Sequence, residues 1–195
     1  MQKICMTVVV FLLAGSVSAG EVAVLTVVAL SNGLNHVDLT GDGVQDLVIL
    51  AHRENFNAHS FEVASFYVFV DGQEGAQPEL HIVPFRRNTG KESFEMFVSG
   101  GADCILHDFR LVYGAQQESA SLIMADRDFG NGFWDSQPVT FTYYELKRNV
   151  ENEPGAGLYS FELSRIVRST SEYCDVGEAF EQELDLSDYR YRGDE

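Results

Sequence analysis

The chain is poor in lysine, proline and cysteine, and after its first twenty residues it has no long hydrophobic run. Its lysines are Lys3, Lys91 and Lys147. A Ser-x-x-Lys acyl-enzyme pair would need serine three residues before a lysine, but those positions hold Asn88 and Tyr144. There is no Gly-x-Ser-x-Gly elbow, no phosphate-cradling loop and no His-x-His-x-Asp cluster. The common nucleophilic and zinc-hydrolase sites are therefore missing. Basic residues are few enough to leave a formal net charge of -17, which repels nucleic acid and anionic membrane surfaces. No stretch after the amino terminus could cross a membrane as a helix. Helical periodicity is also scarce, and no internal repeat is visible, which excludes a propeller or solenoid.

What is present begins with a leader. Lys3 is followed by a nearly all-apolar stretch over residues 4–14, then Val17-Ser18-Ala19 before Gly20. A basic start, a short apolar segment and a small-x-small site read as a cleaved signal peptide over residues 1–19. An uncleaved anchor is the alternative. Residues 20–195 then form one β-rich domain, and loss of Lys3 takes the charge from -17 to -18. Such a protein suits a soluble life outside the inner membrane, in the periplasm.

Of three cysteines, Cys5 leaves with the leader. Cys104 and Cys174 remain, with no Cys-x-x-Cys motif. In an oxidising compartment they are expected to form a disulfide, and the alternative is two buried thiols.

Short β-type runs alternate with turn signals through most of the chain, at residues 22–30, 46–52, 61–70, 80–85, 92–98, 104–113, 119–125, 139–144 and 159–169. Pro78 and Pro84 suit a sheet edge. A short helix is expected at residues 178–184. The fold class expected is all-β, a sandwich or a large twisted antiparallel sheet, with short helices.

The densest local signal is Asp38-Leu39-Thr40-Gly41-Asp42-Gly43-Val44-Gln45-Asp46. Oxygen side chains fall at positions one, three, five and nine, with glycine at six and the Val44 carbonyl at seven. That alternation wraps a hard cation, so Asp38, Thr40, Asp42, Val44 and Asp46 are candidate Ca2+ ligands in a structural role. Position twelve is Ile49, so the loop is not an EF-hand. It resembles the calcium loops of FG-GAP and VCBS-type β-repeats. The metal-free alternative is an Asp/Gly-rich hairpin turn. Asp126, Asp128, Asn131 and Asp135 form a second, looser acidic set that could hold another cation. The loop from His52 to His59 carries Glu54 and Asn57. With Trp134 these residues are candidates for ligand or partner binding, because polar and aromatic loops on rigid strands commonly serve that role. Zinc at His52 and His59 would lack a third ligand, and a solvated turn or a Trp134 folded into the core are the plain alternatives. His81 and His107 lie in strand-like runs and read as structural.

The run Asn35-His36-Val37-Asp38-Leu39-Thr40-Gly41-Asp42-Gly43, continuing through His52-Arg53-Glu54-Asn55-Phe56-Asn57-Ala58-His59-Ser60-Phe61, resembles the CarG/CarF type of carbapenem self-resistance proteins. The likeness extends more weakly through the leader, the paired cysteines and residues 126–138. It implies a periplasmic protein that protects without hydrolysing the drug, by sequestering the carbapenem or shielding its target, and it makes a homodimer and bound metal plausible. The competing expectations are an extracellular calcium-binding interaction module, and a hydrolase built from His52, Glu54 and His59.

Overall fold

The computed structural model describes residues 25–72, 77–86, 91–115 and 117–187. The expected leader lies outside the described residues. The strands are β1 (Leu25–Val27), β2 (Gly33–Val37), β3 (Asp46–Arg53), β4 (Phe61–Val70), β5 (Glu79–Ile82), β6 (Phe85–Arg86), β7 (Glu92–Ser93), β8 (Met96–Gly100), β9 (Ile105–Gly114), β10 (Ser121–Arg127), β11 (Gln137–Arg148) and β12 (Tyr159–Tyr173), and helix α1 is Val176–Leu184. The described residues are all-β with one short helix, as the turn-punctuated runs imply.

The strands join into one 12-stranded sheet in the order β2-β3-β4-β8-β9-β10-β11-β12-β6-β7, with β1 added to β9 and β5 to β4. Strand β8 links the two halves, pairing β4 through Glu62↔Val98 and β9 through Ser99↔His107. The sheet is mixed, not purely antiparallel, because β6 runs parallel to β12. The run expected over 80–85 breaks at Pro84, and the chain passes from the edge strand β5 to the far edge of the sheet. There Phe161 N–H donates to Pro84 O at 2.8 Å, and the Phe85 ring stacks on Phe161 at 5.3 Å.

The sheet curls until its two halves face each other. Phe66 on β4 meets Phe85, Phe109 and Phe161 edge-on at 5.4, 6.0 and 5.4 Å. Phe85 and Phe161 belong to β6 and β12, strands distant from β4 in the sheet order. Alternation along β4 sends Ala64, Phe66 and Val68 inward, all fully buried. Along β9 it sends Phe109 and Leu111 to the same core.

The opposite face of β9, β10 and β11 is buried too. Val112, Ile123, Ala125, Val139 and Phe141 pack beneath Val176, Ala179 and Phe180 of α1. Those three helix residues share one face at the i, i+3, i+4 spacing. Asp175 caps the helix by accepting from Gly177 N–H at 2.7 Å, and its other oxygen accepts from Ile105 N–H at 2.9 Å. Asp185, at φ +56°, ends it in the left-handed region. Arg110, the polar residue that interrupts the Phe109/Leu111 pattern, sits beneath this helix. It is 3 % exposed, donates to Asp108 at 2.6 Å and lies 4.3 Å from the Phe180 ring centre. Cys104 and Cys174 are disulfide-bonded, 70 residues apart, and pin the start of β9 to the chain entering α1.

Candidate functional site

The Asp38 loop closes the β2–β3 hairpin. Gly41 and Gly43 have φ of +78° and +86°, which side-chain-bearing residues rarely adopt. The Asp38 carboxylate accepts from Gly41 N–H at 2.7 Å and Gly43 N–H at 2.9 Å, and Asp42 accepts from Val44 N–H at 2.8 Å. Asp46 is 1 % exposed and accepts from the amides of Leu39, Thr40 and Phe69. Burial pushes its carboxyl above the usual carboxylate range, while the Phe69, Thr40 and Leu39 amides pull the other way. The loop is docked onto the β9–β10 turn. Tyr113 O–H donates to Asp38 O at 2.6 Å, Ala120 N–H donates to Leu39 O at 2.9 Å, and a Cβ on Gly41 would fall 2.4 Å from the Glu118 backbone.

The donor chemistry here is that of a hard-cation loop. Thr40 Oγ1, at loop position three, is buried with no hydrogen-bond partner among the described residues. The carboxylates, however, are engaged by backbone amides. Among the described residues no group of three or more His, Cys, Asp and Glu side chains is placed to hold a metal ion. The second acidic set is divided among different partners. Asp126 meets His107 Nδ1 at 2.5 Å, whereas Asp135 accepts from Asn131 N–H and Nδ2 and from Gln137 Nε2. The Asn131 amide leads the groups that hold the Asp135 carboxyl below its ordinary value.

Arg127 organises that segment. Its guanidinium donates to Cys174 O at 2.5 Å, to Asp128 O at 2.8 Å and to Phe133 O. The 128–136 loop is thereby tied to the disulfide. Phe133 in turn lies against Gly101, where a Cβ would come within 2.7 Å of its ring.

From the other side comes the loop between β3 and β4. His59 sits 5.0 Å from the Phe133 ring centre, and its Nδ1 is 3.1 Å from Gly100 O. Asn57 accepts from His59 N–H at 2.8 Å and Asn55 Nδ2 donates to His59 O at 2.7 Å, so the loop is internally braced. Glu54 accepts from Ser60 O–H at 2.8 Å and from Phe56 N–H at 2.5 Å, and lies 3.6 Å from His52 Nε2. The Ser60 and Phe56 hydrogen bonds hold the Glu54 carboxyl below its usual value.

The structure thus brings together two loops that the sequence separates by some seventy residues. Beside the disulfide is a cleft of about 310 Å³, bordered by His52, Phe61, Gly101, Cys104 and Asp175. Aromatic side chains stand on the surrounding loops. Phe129 packs edge-on against Phe133 at 4.8 Å, Trp134 is 70 % exposed and Phe56 is 94 % exposed. Trp134 is therefore on the surface, lying over Gly132, and not a core plug. Sequence reasoning did not foresee the contacts of Phe133 with His59, which joins the two loops, and with Gly101. Only the glycine pair beside the cysteine hinted at a close approach.

Comparison with known proteins completes the description. Residues 30–182 match the family described as "Carbapenem resistance protein CarG-like". Among solved structures the chain is similar to one titled "Crystal structure of CarG", at 28% identity and a TM-score of 0.65, with 80% of this chain and 94% of that chain covered. A search of curated proteins gives no match.

Proposed function

Because the chain belongs to the CarG-like family of carbapenem resistance proteins, we propose that it is exported to the periplasm and protects against carbapenems by binding, without turnover. The family match over residues 30–182 carries this reading. The leader-like amino terminus and the absence of the common hydrolase motifs support it. The binding end of the molecule is the cleft beside the disulfide, which His52 lines, together with Glu54, Asn57, His59 and Trp134 on the two loops that meet at His59 and Phe133. The drug itself or a surface of its target is the ligand.

Expression in a carbapenem-sensitive host is expected to raise the inhibitory concentration, with the exported protein verified by fractionation. No change in that concentration, with the protein present in the periplasm, sinks the proposal. The hydrolase alternative draws little support from the geometry. His52 and Glu54 approach each other, but His59 is engaged with Gly100 and Phe133. Purified protein is expected to leave a carbapenem intact over hours, and turnover that disappears in His59→Ala would reverse the assignment.

A structural Ca2+ in the Asp38–Asp46 loop is part of the same proposal, held by Asp38, Thr40, Asp42, Asp46 and the Val44 carbonyl. The partnerless Thr40 hydroxyl supports it. An ion bound there would draw the loop onto itself and hold the β2–β3 hairpin. Ligand that binds only the folded state stabilises by RT ln(1 + [L]/Kd), about 2.7 kcal/mol at a hundredfold excess over Kd. Calcium is thus expected to raise Tm, a chelator to lower it, and Asp42→Ala to abolish the difference. A calcium shift that survives Asp42→Ala refutes the ligand assignment.

A further inference from the structure

A second cleft, of about 340 Å³, opens where the two halves of the sheet diverge, among β8, β9, β10 and the β6–β7 hairpin. Neither the family reading nor the loops described above account for it. Its polar wall is a cross-strand row. Ser99 on β8 is opposite His107 on β9, which is opposite Asp126 on β10. In-register neighbours on one face of a sheet stand close together, so these side chains crowd one strip of the wall. His107 Nδ1 binds Asp126 Oδ1 at 2.5 Å, and among the described residues Oδ2 of the same carboxylate accepts no hydrogen bond. Glu95 adds a second acid at the border. The rest of the wall is soft and apolar, with Met96, Met124 and Phe97. Phe97 is half exposed although large and aromatic.

The charges select the ligand. Two carboxylates face one imidazole in a protein of net charge -17, so an anion is repelled. A cation gains a charge-assisted hydrogen bond from Asp126 and the attraction of an aromatic face. Methionines adapt to apolar bodies of varied shape. We infer that this cleft binds a small organic cation, an amine carried on an apolar or aromatic body, with Asp126 as its counter-charge. His107 orients the Asp126 carboxylate so that Oδ2 is turned to the ligand. The inference goes beyond the resistance proposal and stands whether or not that proposal survives.

The methionines supply the test. Met96 and Met124 both line this cleft, and the chain's others, Met1 and Met6, lie at the amino terminus. Protein labelled with 13C at the methionine methyls would be titrated with benzylamine, with phenylacetate and with benzyl alcohol. Benzylamine is expected to move the Met96 and Met124 signals saturably, while the anion and the neutral alcohol move them little. Asp126→Asn is expected to weaken benzylamine by about tenfold, the loss of one charge-assisted contact. Should that variant fail to fold, Glu95→Gln at the border is expected to weaken it severalfold. Three results overturn the inference: methyls unmoved at millimolar benzylamine, phenylacetate or benzyl alcohol binding as well as the amine, or undiminished affinity in the folded variants. Because the readout is a methyl shift, a negative resistance assay leaves it unaffected.

Discussion

Replacing both Cys104 and Cys174 by alanine is expected to lower the stability of the folded chain by about 4 kcal/mol. The bond closes a 70-residue loop, and in the unfolded chain that closure removes conformational entropy which the reduced protein regains. The folded state loses little direct contact, because Cys104 is already buried and the flanking backbone is held by other groups. Asp175 still binds the Ile105 amide, and Arg127 still binds Cys174 O through the main chain. The effect is therefore expected in the denaturant midpoint, with a changed m-value as the unfolded chain expands. The same staple borders the cleft through Cys104, and Cys174 Sγ lies 3.6 Å from Phe133 O. Resistance is expected to fall with stability. A double alanine variant within about 1 kcal/mol of the parent, well below the usual range for such bonds, would show that the closed loop contributes little.

The second large effect concerns Arg110. Its side chain is 2% exposed and that of Asp108 1%, with 2.6 Å between Nη1 and Oδ2. Arg110→Ala takes the cation from the buried Asp108 carboxylate, which still accepts from Phe109 N–H, at a cost of about 3–5 kcal/mol. Arg110→Ala also withdraws the cation beneath Phe180 and so loosens α1 from the sheet. Among the described residues Nε and Nη2 of Arg110 have no hydrogen-bond partner, so the pair is not fully satisfied. An apolar replacement of both partners, Asp108→Leu with Arg110→Met, is therefore expected to cost much less than the single change. Chemical denaturation of the three proteins decides the matter. A double variant as unstable as Arg110→Ala would mean that shape beneath the helix, not charge, sets the penalty.

These two sites show how far the sequence carried. The pairing of Cys104 with Cys174 followed from counting thiols in a chain whose amino terminus reads as an export leader. A short helix in the acidic tail was expected over 178–184, within α1, but not the face of Val176, Ala179 and Phe180 that it buries. The Asp38–Asp46 turn was legible because its backbone demands glycine at particular places. The Arg110 position could not be read correctly. A cation between Phe109 and Leu111 looks like the solvent side of a strand, and it is buried only because α1, sixty-six residues later in sequence, folds back across it. Likewise the polar/apolar alternation of β11 implies one wet face, yet Thr142 and Tyr144 are buried on one side and Val139 and Phe141 on the other. Period-two patterning reports which residues share a face, and says nothing of what later covers it.

The sequence alone determined the β-class, the disulfide, the turn-forming acidic loop, the short helix and the family resemblance. All of these rest on local spacing or on residue counts, which are properties of neighbours along the chain. Tertiary structure decided the curl that sets Phe66 against Phe85, Phe109 and Phe161. It also decided the parallel edge at β6, the meeting of His59 with Phe133, and the Ser99–His107–Asp126 row. Each of these depends on strand register and sheet curvature, which are fixed by packing between residues that are distant in the chain.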